Sequence, residues 1–199
     1  MAIHLYEYGD LTGKISEGDF SSPDFAIFDG VNGGSSDKMI YLANEHATLA
    51  LGVQPGDNTI TVMEAGRFPD GEVIVVDNEQ MLVLSGGATA ELTVQRGFAH
   101  TTSAAHDAGA RVWSGYTYFN VFAQPADVEG EDESSWIRLA YSQGELDAAT
   151  PGAPLYIVTV KEYWRIGLFW RRITVPPGAG VRFKTDLRLR ITATEGPVL

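Results

Sequence analysis

Residues 72–113, EVIVVDNEQMLVLSGGATAELTVQRGFAHTTSAAHDAGARVW, restrict the fold of this chain more than any other stretch. Residues 72–76 are a β-branched run, and Asp77-Asn78 closes it with side chains that cap their own backbone and so favour turns. In residues 79–84, Met81 and Val83 share one face while Gln80 and Leu82 share the other. Ser85-Gly86-Gly87 supplies the positive φ values that a tight reversal needs. Residues 91–95 alternate strictly, with Leu92 and Val94 inward against Thr93 and Gln95 outward. Arg96-Gly97 breaks that strand. A Thr- and Ala-rich connection carrying His100 and His106 then leads through Gly109 to a last strand at 110–113. A two-residue apolar period cannot be presented by a helix, so the stretch is a compact β unit of four short strands.

The same signals continue on both sides. Residues 3–8 alternate as an opening strand, and 9–24 are polar and glycine-punctuated. Residues 25–28 are a short apolar segment, ended by Asp29-Gly30 and Asn32-Gly33-Gly34. Asp29, Asn32 and Asp37 have the composition of a calcium loop, but the ligand spacing and closing glutamate of an EF-hand are missing, so a turn is expected there. Strands are expected at 38–42 and 59–63, whereas 43–51 accepts one or two helical turns as readily. Pro55-Gly56-Asp57-Asn58 and Phe68-Pro69-Asp70-Gly71 are turns. Further strands are expected at 116–123, 136–141, 155–160, 167–175 and 186–193, with a long turn region at 144–154. Pro176-Pro177-Gly178 cannot continue a ladder, because proline has no amide proton. In the last strand Leu187, Leu189, Ile191 and Ala193 share one face, and Arg188, Arg190 and Thr192 the other.

No segment sustains a helical apolar period and no internal repeat is evident, so the chain is expected to be all-β. A lone piece of about 48 residues hardly buries a core by itself. The expected architecture is therefore an Ig-like, Greek-key β-sandwich from residues 1–48 and 114–199, interrupted by a small inserted β module at 49–113.

Composition narrows the function. With no cysteine there is neither a disulfide frame nor a thiolate metal site. The start of the chain lacks a basic region followed by an apolar core, and no apolar run approaches the ~20 residues that cross a bilayer. A soluble protein with no membrane partner is expected. The net charge of −12 is uneven: residues 1–110 carry 16 acids against 4 bases, residues 161–199 carry 3 against 8. An acidic body repels phosphate, so nucleic acid is not an expected partner. A basic end on an acidic chain suggests a complementary contact, within the fold or between neighbouring copies.

Catalytic and metal-binding patterns are thin. Asp77 and Glu79, two apart, have the spacing of a carboxylate pair for acid–base work, but an exposed turn and strand end is the simpler reading. His100 and His106 offer two zinc ligands without a third, and His106 is expected to tie its loop to backbone groups. The acidic loop at 129–135, EGEDESS, is expected to be solvated. There is no nucleophile elbow, zinc-protease helix or phosphate-cradling glycine loop, so no enzyme activity, cofactor or metal is expected.

Aromatic residues gather in the second half, among them Tyr116, Tyr118, Phe119, Trp136, Tyr141, Tyr156 and Phe169. Tyr163 and Trp164 are adjacent and point to opposite faces of any strand. With Arg165, Trp170, Arg172, Arg188 and Arg190 they make a candidate protein–protein interface, since Trp, Tyr and Arg anchor such surfaces. The alternative is a sugar platform.

Two stretches carry a resemblance. Asp77, Glu79, Met81, Val83, Leu92, Thr93, Val94, Arg96, Gly97, Thr101, Ala104, Ala105, His106, Gly109, Ala110 and Val112 follow the pattern of a module of tailed-bacteriophage virion proteins. There an acidic strand precedes Leu-Thr-Val-x-Arg-Gly and then Thr-Ala-Ala-x-His-x-x-Gly-Ala-x-Val. Trp170, Arg172, Val175, Pro176, Gly178, Thr185, Asp186, Leu187 and Leu189 resemble, more loosely, the end of sandwich domains in phage tail and baseplate proteins. The resemblance implies a virion structural protein of the tail or baseplate, assembled in the host cytoplasm. Its implied partners are other virion proteins and copies of itself, with a host-surface glycan or a head decoration or neck role as the alternative. It implies structural roles for Asp77, Glu79, Arg96, Gly97, His106 and Gly109.

Overall fold

The computed structural model describes residues 3–19, 21–180 and 184–196. Two strands, β1 (Ile3–Tyr6) and β2 (Gly34–Asn44), come first. Six short ones follow: β3 (His46–Thr48), β4 (Thr59–Thr61), β5 (Val73–Val76), β6 (Glu79–Ser85), β7 (Glu91–Gln95) and β8 (Arg111–Ser114). Then come β9 (Thr117–Asp127), β10 (Ile137–Ala140), β11 (Leu155–Lys161), β12 (Gly167–Val175) and β13 (Leu187–Gly196). Among the described residues no helix reaches seven residues, so the chain is all-β.

Three antiparallel sheets result, ordered β1–β2–β12–β10, β11–β9–β13 and β3–β8–β5–β6–β7–β4. In the first, β12 runs the whole length of β2, from Gly167 opposite Leu42 to Val175 opposite Gly34. Alternation turns Ile40, Leu42 and Phe169 inward, where they meet Tyr118, Val121 and Ala123 of β9 and Ile137 and Leu139 of β10. That shared core makes the first two sheets a sandwich. Phe169 is fully buried at its centre, and removing such a ring costs about 3–5 kcal/mol.

The third sheet draws on residues 46–114 and curls around a separate core that includes Leu49, Ile60, Phe68, Ile74, Met81, Val83, Leu92, Val94 and Val112. Its two edges meet. Ala50 N donates to Thr61 O and Met63 N to Thr48 O, each at 2.8 Å, around a bridge between Leu49 and Val62. The sheet thus closes on itself as a small barrel, which removes the exposed edges an open sheet leaves. Between β6 and β7, Gly86 turns at φ 91, and a Cβ there would lie 2.2 Å from Glu91 O, so only glycine fits.

The inward faces of β6 and β7 are those the alternation predicts, Met81 and Val83, Leu92 and Val94. Two expectations change. The unit has six strands instead of four, because 59–63 and the ambiguous 43–51 both join it. The helical preference of Ala, Leu and Glu in 43–51 is worth only tenths of a kcal/mol per residue. It loses to the pairing of β3 with β8 and to the full burial of Ala47 and Leu49.

Barrel and sandwich are joined where β2 ends. Asn44 Nδ2 donates to Ser114 O at 3.2 Å and Tyr116 O at 2.7 Å, the carbonyls at which the chain re-enters the sandwich. Asn44 Oδ1 accepts from the buried Lys161 Nζ at 2.9 Å. A third apolar cluster of Tyr6, Leu11, Ala43 and Trp113 fills the joint, with Tyr41 and Tyr163 packed against it.

Candidate functional site

The residues singled out in the barrel converge on one carboxylate. Glu79 opens β6 with its side chain turned inward and almost completely buried. Its Oε1 accepts from Arg96 Nε at 2.7 Å and Gly97 N at 2.9 Å. Its Oε2 accepts from Arg96 Nη2 at 2.8 Å, Ala104 N at 2.9 Å and His106 Nε2 at 2.9 Å. Arg96 fills its remaining donors on Gln54 O, Asp57 O and Ala104 O, so all five guanidinium hydrogens are engaged. The other nitrogen of His106, Nδ1, lies 2.7 Å from Asp77 Oδ2. Burial alone would raise the pKa of Glu79. The hydrogen bonds from Arg96, Ala104, His106 and Gly97 outweigh it and hold the carboxyl at about 2.

Local backbone fits the knot. Gly97 takes φ 60 with Thr101 O 3.0 Å from where a Cβ would sit, and Asp77 occupies a left-handed turn position at φ 50. Gly109, at φ 87, donates its amide to Leu49 O. His106 anchors its loop, but through two carboxylates instead of backbone groups. The reason is burial: a ring 1% exposed beside an anion finds its strongest partner there. His100 stays exposed, at φ 68. The arrangement holds the 97–106 loop across one end of the barrel, and Glu79, with five donors, has no open position for a substrate.

Other charges form similar closed sets. Glu45 receives Lys14 Nζ at 2.7 Å, Arg67 Nη1 at 3.0 Å and His4 Nε2 at 3.2 Å; burial opposes its ionisation, and hydrogen bonds from His4 and Lys14 lower its pKa to about 2. Burial would lower His4, yet hydrogen bonds to Glu17 and Glu45 raise it. Arg171, buried inside the sandwich, is held bidentately by Asp24, which also meets Lys38. Asp29 only closes its own turn, accepting Val31 N and Asn32 N, while Asp37 binds Arg172, so the calcium-like composition makes no joint site. At the acidic loop, Lys184 Nζ sits among Asp127, Glu133 and Asp186, where a cation would stand. Among the described residues no three His, Asp or Glu side chains converge as a metal site.

The seven interface candidates separate. Arg172 is clasped by Asp37 and Asp147, and Tyr163 packs into the joint, its hydroxyl donating to Asp77 O at 3.2 Å. Both make contacts within the chain, Arg172 with Asp37 opposite it on β2 and with Asp147 in a loop, Tyr163 with the turn at Asp77. Trp170 is half-buried, while Trp164 and Arg165 are exposed between β11 and β12. Arg188 and Arg190 are exposed on β13, and among the described residues neither meets a carboxylate. Their neighbours were not legible as a group in the sequence. The register sets Arg190 beside Gln124 and Thr192 beside Phe122, and Tyr156 of β11 lies on the other side of Phe122, ring centroids 4.8 Å apart. Two residues escaped sequence reasoning altogether, Lys161 and Asn44; only a lysine closing an apolar strand hinted at the first.

No family model, curated protein or solved structure matches the chain.

Proposed function

We propose that the protein is a structural component of a tailed-bacteriophage particle, of the tail or baseplate, acting by contacts with other virion proteins. The motif-bearing residues support this reading by what they do: Asp77, Glu79, Arg96, Gly97 and His106 are all engaged in fixing one loop. That is a rigid support, as a placement role requires, without a free acid, base or nucleophile. Gold-labelled antibody on particles from the source lysate tests the reading. Label at the tail tip is expected, label over the head moves the role to decoration or neck, and soluble protein with no particle label overturns it.

A second reading, a carbohydrate- or receptor-binding sandwich, draws on the outward Phe122–Tyr156 ring pair beside Arg190. Calorimetric titration with host surface polysaccharide checks it, and silence across a broad glycan panel rejects it.

A further inference from the structure

The described cations are, for the most part, already matched: Lys14, Lys38, Arg67, Arg96, Arg171 and Lys184 each face a carboxylate. Of the strand cations without a carboxylate, Arg111 and Arg138 donate to backbone carbonyls and Lys161 to Asn44, whereas Arg188 and Arg190 are exposed and make no hydrogen bond among the described residues. They lie two apart on the outward side of β13, in a chain of net charge −12. Beside them the Phe122–Tyr156 pair presents half-buried rings on the same side of the sheet. Among the described residues β13 pairs only with β9, so its second edge also lies open. Guanidinium beside aromatic is the composition of a contact surface and asks for an anionic, partly apolar partner.

Such a surface exists on the chain itself. At the Gly86 end of the barrel, Asp70 Oδ1 accepts from Gly87 N at 2.9 Å, and Glu91 lies against Gly86. Both carboxylates face solvent, and among the described residues neither has a cationic partner. Thr61 stands opposite Glu91 and Val62 N donates to Ala90 O, so Met63, two residues past Thr61, lies diagonal to Glu91. Met63 is 63% exposed and Leu84, on the outward side of β6, is 52% exposed. The barrel end thus offers acid beside aliphatic surface, where the β11–β9–β13 face offers cation beside aromatic.

We infer that the outward face of β11–β9–β13 docks on the Gly86 end of the barrel of a second copy, through Arg188 and Arg190 against Asp70 and Glu91. This names the partner surface for the assembly role proposed above and rests on that reading. The proposed contact is head to tail: made once per pair, it leaves one patch of each kind for the next copy.

Sedimentation velocity over a concentration series tests it on the intact chain. The wild type is expected to form species beyond the dimer. Two double variants, Arg188→Gln with Arg190→Gln and Asp70→Asn with Glu91→Gln, are each expected to lose about a hundredfold in association and run as monomers. All four positions are exposed, and circular dichroism checks that both variants fold. The equimolar mixture is decisive: the first variant keeps its acidic patch and the second its basic one, so they form a one-to-one dimer that cannot grow. A monomeric wild type, variants that still self-associate, or a mixture that stays monomeric each overturns the proposal. So does a monomeric wild type that binds polygalacturonate through Arg188 and Arg190, which marks the face as a glycan site. Monomeric protein that labels particles sinks the self-contact alone, whereas self-association without particle label sinks the virion reading alone.

Discussion

Charged groups inside this molecule follow two opposite regimes. Glu79 is buried with five donors, so breaking the set leaves Arg96 uncompensated in the barrel. Glu79→Ala is expected to cost about 3–5 kcal/mol in urea unfolding. The folded pKa of Glu79 lies near 2, below its ordinary 4.5, so its contribution is complete above pH 4.5 and disappears as pH falls toward 2. An acid unfolding series should show that loss in the wild type and not in Glu79→Ala. Lys161 is the reverse case, a fully buried amine whose oxygen partners, Asn44 Oδ1 and Glu162 O, are neutral. Burial, with Arg165 nearby, lowers its pKa from 10.5 to about 7. The unfolded chain then binds the extra proton between those values, so stability is expected to rise with pH from about 7 to 10.5. Lys161→Met should flatten that rise in denaturation curves taken across the window; an unchanged slope would place its source elsewhere. Glu72 shares the predicament with opposite sign: burial raises its pKa, and its Oε1 has no hydrogen-bond partner. Glu72→Gln should therefore leave stability unchanged or higher at neutral pH.

Elements were legible where alternation is strict. Leu92 and Val94 predict their own burial in β7, and Leu187, Leu189 and Ile191 the inward face of β13. The closure of the barrel was not legible, because it depends on backbone bonds of residues 48–50 and 61–63, whose side chains say nothing of pairing. The ion knot was half legible. Spacing marked Asp77, Glu79 and His106, but Ala104 and Gly97 contribute amides, and an amide leaves no trace in residue identity. Turn chemistry gives a sharp test. Gly86→Ala meets both a positive φ and Glu91 O, so a loss of about 1–3 kcal/mol is expected from thermal unfolding. Lys184 offers a second test, since its amine clasps the ends of the acidic loop. Lys184→Met should free residues 128–132 for cleavage by a glutamate-specific protease, while the wild type resists under the same conditions.

The molecule as a whole is two cores with a bonded joint. Asn44 grips Ser114 and Tyr116 on the strand that returns from the barrel, and Tyr163 reaches across to Asp77. Such coupling makes one transition the expectation: far-ultraviolet circular dichroism and tryptophan fluorescence should give the same urea midpoint. Asn44→Ala should pull the two midpoints apart, because Trp113 lies at the joint and reports its opening first. The charge distribution also acts at this scale. Residues 46–114 carry 8 acids against 3 bases and the rest of the chain 18 against 11, so both halves are net acidic and the exposed Arg188 and Arg190 stand out locally.

The closed barrel has one more consequence, which concerns time. All its strands lie within residues 46–114, so it can complete its pairing as soon as that stretch has left the ribosome. β2 must wait for β12, and β9 for β13, across some of the longest separations in the chain. During synthesis a finished bead would therefore hang between unfinished strands, and the paired β1 and β2 would carry a bare edge until residues 167–175 arrive. For that interval the nascent chain is most open to pairing with the wrong neighbour.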